Sequence, residues 1–224
     1  IVRNVAVGAE AEGHHAYIQY ENVRVPKENL LGERGQGFVV AQTQLGGGRI
    51  HHAMRTMAQI KKSFDMMCQR ALSRRTKGEV LADKQMTQEK IADSWIQMEA
   101  FRLMVLRTAW RIDKYKDYLK VRKDIAAIKV MLPTVWHDIA GRALQIHGSL
   151  GVSQEMPFAE HVIGAFRLGI VDGPTEVHKV TVARQVLRDY APYNGLFPPG
   201  HLPSVRAAAR EKYADLIEHD VANQ

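Results

Sequence analysis

One cysteine, Cys68, stands in a chain of 224 residues, so no internal disulfide can form. It sits in a Met-rich helical stretch, where a small thiol suits packing better than catalysis. No apolar run approaches the roughly eighteen residues that a membrane-crossing helix needs, and no membrane span is expected. The opening IVRNVAVGAE lacks the basic-then-apolar order of a secretory signal. It begins on Ile and already alternates like a strand within a sheet, which predicts a start part-way through a longer polypeptide. Absent too are a βαβ unit and a Gly-x-Gly-x-x-Gly opening a helix, which excludes a Rossmann-type cofactor site. There is no His-Glu-x-x-His. The pairs His14–His15 and His51–His52 would point about 100° apart on a helix, so no metal site is expected. The net charge of +7 suits an anionic ligand. Its basic residues are scattered among acids without interleaved aromatics, which argues against nucleic acid.

What is present is a change of period. Residues 1–33 read as strand-like, with HAYIQYENVRV partly alternating and closed by Pro26 and the turn-forming LLGERGQG. From Gly37 to about Arg75 the pattern is helical but interrupted by Gly46, Gly47 and Gly48, a triple that costs on the order of 2–3 kcal/mol of helix propensity relative to alanine. Something close-packed must favour it. A second helix is predicted from about Asp83 to Tyr115, its apolar stripe formed by Ile91, Trp95, Met98, Val105, Ala109 and Ile112. A third covers about Val121 to His147, with Ile125, Ile128, Leu132, Val135, Ile139, Ala143 and Ile146 at spacings of three and four and a kink expected at Pro133. GSLGVSQEMP ends it, a shorter helix follows, and DGPT opens a fourth; PYNGLFPPGHLP is a turn-rich tether to a last amphipathic helix over Val205 to Glu218. The fold class is therefore mainly α, a long antiparallel helical bundle after the last strands of a β domain: residues 1–33, a bundle over 34–190 and an extension over 191–224. Asp172 precedes a Gly-Pro pair and a helix start, so unpaired backbone N–H groups lie near it. A helix N-cap is the plain alternative. His178, one turn further on, receives no role.

Four segments together resemble the acyl-CoA dehydrogenase family. ENVRVPKENLLGERGQGF is similar to the end of that family's middle β domain. RRTKG, running on to the helix with Gln85, resembles its Arg-x-x-Phe-Gly segment, which implies that Arg74 reaches the FAD pyrophosphate of a neighbouring subunit. LQIHGS resembles the Gln-x-x-Gly-Gly segment and implies that Gln145 and Gly148 contact FAD across the dimer. IVDGPTEVHKVTVAR resembles the stretch that supplies the catalytic carboxylate, which places Asp172 as base and Gly173 beside the substrate. GRIHHAMRTM, AAIKVMLP, GVSQEMP and DGPTEVH are similar to the branch of family members ten and eleven, which uses aspartate where most relatives use glutamate. The sequence departs from the family at Lys77, Ser149 and Pro174, which replace phenylalanine, glycine and threonine. Some branches carry the base immediately before the arginine corresponding to Arg49. Here that position is Gly48, which cannot titrate, and Arg49 remains as a cation near the substrate.

The resemblance implies FAD as cofactor and α,β-dehydrogenation of an acyl-CoA, with electrons passed to an electron-transferring flavoprotein. It also implies a homodimer or homotetramer, because Arg74 and Gln145 would serve the neighbour's flavin. The location would be cytoplasmic in a bacterium, mitochondrial or peroxisomal in a eukaryote. Alternatives at this stage are a flavin oxidase on the same fold and a non-catalytic half needing a separate N-terminal polypeptide. Abstracting a proton next to a thioester carbonyl requires a carboxylate within about 3 Å and donors for the developing enolate oxygen. Aspartate is one methylene shorter than glutamate, so its backbone must stand about an ångström closer.

Overall fold

The computed structural model describes residues 1–6 and 15–216, which leaves His14 and the last two residues of the expected final helix, 217 and 218, outside the described residues. The chain forms two compact units, Ile1–Gln185 and Val186–Gln224.

The first unit opens with β1 (Arg3–Val5) and β2 (His15–Tyr17), paired antiparallel with Arg3 opposite Tyr17. The Arg3 guanidinium lies 5.1 Å from the Tyr17 ring centroid, a cross-strand contact that ties the pair together. The strand character expected through Val25 stops at Tyr17. The next residues pair with no further strand among the described residues and follow an irregular path through a 3-10 turn at Lys27–Asn29.

Three long helices follow: α1 (Gly37–Ser73), α2 (Gln85–Tyr115) and α3 (Arg122–His147). Their connections are short, so successive helices run antiparallel. The first connection carries a small hairpin of β3 (Arg75–Thr76) and β4 (Glu79–Val80). At the second, Lys116 takes the left-handed conformation, and its N–H donates to the Ile112 carbonyl at 2.7 Å. The expected interruption of α1 does not occur, since Gly46, Gly47 and Gly48 continue the helix. A β-carbon on Gly46 would lie 3.1 Å from Cγ of Tyr118, so the missing side chain is what lets the α2–α3 turn approach α1.

α3 is the central helix, packed against α1, α2 and α5 (Phe158–Leu168). That position explains its many apolar residues: Ile125, Ile128, Leu132, Val135, Ile139 and Ala143 are all buried, as their spacing predicts. The helix stays continuous on both sides of Pro133. Truncating a residue such as Leu132 to alanine would cost about 2–5 kcal/mol. The predicted stripe of α2 packs against the core at Ile91, Met98, Val105, Ala109 and Ile112 but misses at one position. Trp95 is 54% exposed, whereas Ser94 is buried and accepts a hydrogen bond from Arg142 Nη1 at 3.3 Å. α2 thus meets α3 there through a small hydrogen-bonded residue, where an indole would hold the helices apart.

A short α4 (Ser149–Val152) links α3 to α5, and α6 (Thr175–Leu187) follows the turn that contains Asp172. The second unit contains α7 (Leu202–Lys212), which begins earlier than the expected Val205.

Candidate active site

The turn from α5 to α6 is tied at three points. At its start, the carbonyl of Leu168 belongs to the last turn of α5 and has no partner within the helix; it accepts a hydrogen bond from Nζ of Lys129 on α3. Lys129 has no exposed surface. Burial pulls its ammonium below the usual lysine range, Asp172 opposes that shift and Arg49 adds to it. At the far end, the N–H of Thr175 donates to the Gly169 carbonyl at 2.9 Å and its hydroxyl does so at 3.2 Å.

The third tie holds Asp172 itself. Its carbonyl accepts from Arg49 Nε at 2.9 Å and from His178 Nε2 at 3.3 Å. A carbonyl only accepts, so the imidazole of His178 carries its proton on Nε2. His178 is buried, which lowers its basicity, while the bond to Asp172 works in the opposite direction. With the carbonyl clamped, Asp172 adopts φ of 57°, a left-handed conformation that aspartate accepts more readily than most residues. Gly173 follows at φ of 106°, and a β-carbon there would stand 3.0 Å from His178 Nε2. Glycine is required for both reasons.

The Asp172 carboxylate faces α1. Oδ2 lies 3.1 Å from Nε2 of His52, with both side chains 21% exposed. The same oxygen lies 3.4 Å from where a Gly48 β-carbon would be. α6 begins at Thr175, so Asp172 stands three residues ahead of its first residue. A cavity of about 310 Å³ runs beside the turn, lined by Phe38, Gln42, Arg49, Tyr118, Arg122 and His178 among others.

A second cavity, of about 500 Å³, brings three other sequence candidates together: Arg74 from the end of α1 with Gln145 and Gly148 from the end of α3. Arg70 and Lys90 add positive charge to its wall. Nε of Arg70 is buried without a partner among the described residues, as expected of a donor that awaits an anion. Arg75, by contrast, bonds the Gly78 carbonyl of its own turn at 3.3 Å. Gln85 is exposed as the first residue of α2 and stands outside the wall that its neighbours Met86 and Thr87 help to form. Among the described residues there is no cluster of three metal-ligating side chains, and no helix is long and apolar enough to cross a membrane.

The family model described as acyl-CoA dehydrogenase, C-terminal domain, matches residues 35–187. The chain belongs to the acyl-CoA dehydrogenase family. It is 40% identical to the Mycobacterium tuberculosis protein named "Probable acyl-CoA dehydrogenase FadE2", over 84% of this chain and 46% of that protein. It is also 40% identical to acyl-CoA dehydrogenase family member 11 of Rattus norvegicus, over 80% of this chain and 23% of the relative. The likeness to the branch of family members ten and eleven is borne out. Among solved structures, butyryl-CoA dehydrogenase from Megasphaera elsdenii superposes with a TM-score of 0.69 at 31% identity, covering 75% of this chain and 43% of that one. The chain thus spans less than half the length of each of these relatives.

Three residues that surround Asp172 received no role there from the sequence: His52, Lys129 and His178. Arg49, His52 and Arg55 recur every three residues and so share one face of α1, which is the signal that could have found His52. Lys129 interrupts an otherwise apolar buried segment. His178 gives no local signal, because only the fold brings it to Asp172.

Proposed function

We propose that this chain carries the catalytic base and part of the flavin-binding surface of an FAD-dependent acyl-CoA dehydrogenase, with Asp172 taking the proton from the carbon next to the thioester carbonyl. The observation that carries this reading is the Asp172 carboxylate itself: partly buried, turned toward α1 by a clamped left-handed turn, and set against a glycine that leaves space beside it. Preorganisation of this kind places a general base without reorganisation during the reaction.

The acyl-CoA would approach along the cavity beside the turn. Arg49 and Arg122 there offer cations to an anionic stem, and Phe38, Leu119, Ile125 and Val177 offer apolar surface. The other cavity fits a flavin nucleotide's pyrophosphate, since its cations and the unpartnered Arg70 Nε match the charge of that group. Arg74, Arg70, Gln145 and Gly148 would hold it, and Gln85 would stand at the edge. FAD, when bound, supplies the acceptor for the β-hydride. By the family resemblance the flavin held there belongs to a neighbouring copy, so a homodimer or homotetramer is proposed, with an electron-transferring flavoprotein as the electron acceptor. The deciding experiment is anaerobic reduction of the flavin-loaded protein by acyl-CoA in the parent and in Asp172→Asn.

A further inference from the structure

Arg55, one turn along α1 from His52, places its Nη2 3.2 Å from Nδ1 of His52. Guanidinium nitrogens only donate, so Nδ1 must accept, and the ring proton is left on Nε2. That nitrogen is the one 3.1 Å from Asp172 Oδ2. A single chain of donors therefore runs from Arg55 through His52 to the carboxylate, and the tautomer of His52 is set by chemistry.

We propose that His52, held in its Nε2–H form by Arg55, is a positioning residue that occupies Oδ2 of Asp172 and leaves Oδ1 as the oxygen that takes the substrate proton. The proposal rests on Asp172 being the base. In the step itself the α-carbon–hydrogen bond breaks, its proton goes to Oδ1 and its electron pair stays with the thioester. His52 keeps its own proton and donates to Oδ2 before and after. The arrangement requires a neutral imidazole, because a second proton on Nδ1 would displace the Arg55 bond and turn His52 into a cation that holds the carboxylate in its less basic, ion-paired state. Burial lowers the basicity of the ring. Arg55 and His51 on α1 and Lys129 on α3 act in the same direction, while Asp172 opposes them.

The test uses flavin-loaded protein, with butyryl-CoA and octanoyl-CoA as probes, and follows anaerobic flavin reduction across pH. His52→Ala is expected to reduce its flavin roughly 10- to 100-fold more slowly, the scale of a lost hydrogen bond to a charged group, and to lose the histidine-dependent part of the parent's acid limb. His52→Gln offers an N–H at the reach of Nε2 without titrating; it should recover most of the rate while still lacking that part of the limb. Arg55→Gln, at an exposed position, should move that part to higher pH because Nδ1 is freed to take a proton. Imidazole nitrogen NMR of histidine-labelled protein reads the tautomer independently of activity, with His52→Gln assigning the signal. The proposal is overturned if His52→Ala keeps the parent's rate and profile, if His52→Gln is no better than His52→Ala, or if the ring carries its proton on Nδ1. Asp172→Asn separates this from the underlying reading: an unimpaired Asn variant removes the base assignment, whatever the His52 variants do.

Discussion

Gly48 and Asp172 face each other across the site, with the missing β-carbon of one 3.4 Å from Oδ2 of the other. Two positions far apart in sequence therefore share one chemical location, and a carboxylate at 48 would compete with the one at 172. At ordinary van der Waals distance, a single methyl is accommodated. Gly48→Ala should therefore raise stability by up to about 1 kcal/mol through helix propensity, read as a higher thermal midpoint. Gly46→Ala should fail to do so, because its β-carbon would meet the Tyr118 ring at 3.1 Å. Equal gains at both positions would show that the glycines are not there for close approach.

Arg74 and Arg75 separate the flavin reading from a general effect of basicity. Arg74 lines the cationic cavity, while Arg75 is engaged by its own turn. In the flavin-binding protein, Arg74→Ala should weaken FAD affinity by about 1.5–3 kcal/mol, the value of a charge-assisted contact. Arg70→Ala should behave similarly and Arg75→Ala should change little. FAD titration by fluorescence quenching measures all three.

Acid should destabilise the fold before its carboxylates titrate. His52, His147, His161 and His178 all have their basicity lowered, in each case chiefly by burial. As pH falls through the ordinary histidine value of 6.5, the unfolded chain takes up protons that the folded chain refuses, so stability is present above that value and lost below it. The slope approaches about 1.4 kcal/mol per pH unit for each histidine that stays neutral in the fold. Urea melts at successive pH values should therefore show a falling midpoint from about pH 6.5 downward. His161→Gln, which can keep a bond to Ser63, should flatten part of that slope.

The long helices were legible because burial repeats with the helical period: of the α3 residues named from spacing, all but the partly buried Ile146 lie in the core. Where partner chemistry decides, period alone fails. Trp95 looks apolar enough for the α2 stripe, yet the contact there is a serine bonded to Arg142. The glycine triple was legible as a site of close packing, but its neighbours were not, since Tyr118 and Asp172 arrive from elsewhere in the chain. Asp172 could be named from its segment. Its left-handed turn and its ties to Arg49, His52 and His178 could not, because they exist only once α1 and α6 are assembled.

Substitution at Asp172 tests the central proposal, and the backbone conformation decides which variant is informative. Asn tolerates the left-handed region as well as Asp does, so Asp172→Asn should keep the φ of 57°, the clamp on the carbonyl and the fold. It loses only basicity. Flavin reduction by acyl-CoA should then slow by roughly 100-fold or more, while FAD and acyl-CoA still bind, because the cavity that would hold the flavin does not include Asp172. Asp172→Glu restores a carboxylate at longer reach, and glutamate in a left-handed turn costs about 1–2 kcal/mol. Its extra methylene must also fit beside Gly48 and His52. The Glu variant should accordingly recover part of the rate at reduced stability, which a thermal melt records alongside the stopped-flow trace. An Asn variant that reduces its flavin at the parent's rate would place the base outside this turn, and the clamp formed by Arg49 and His178 would then be structural only.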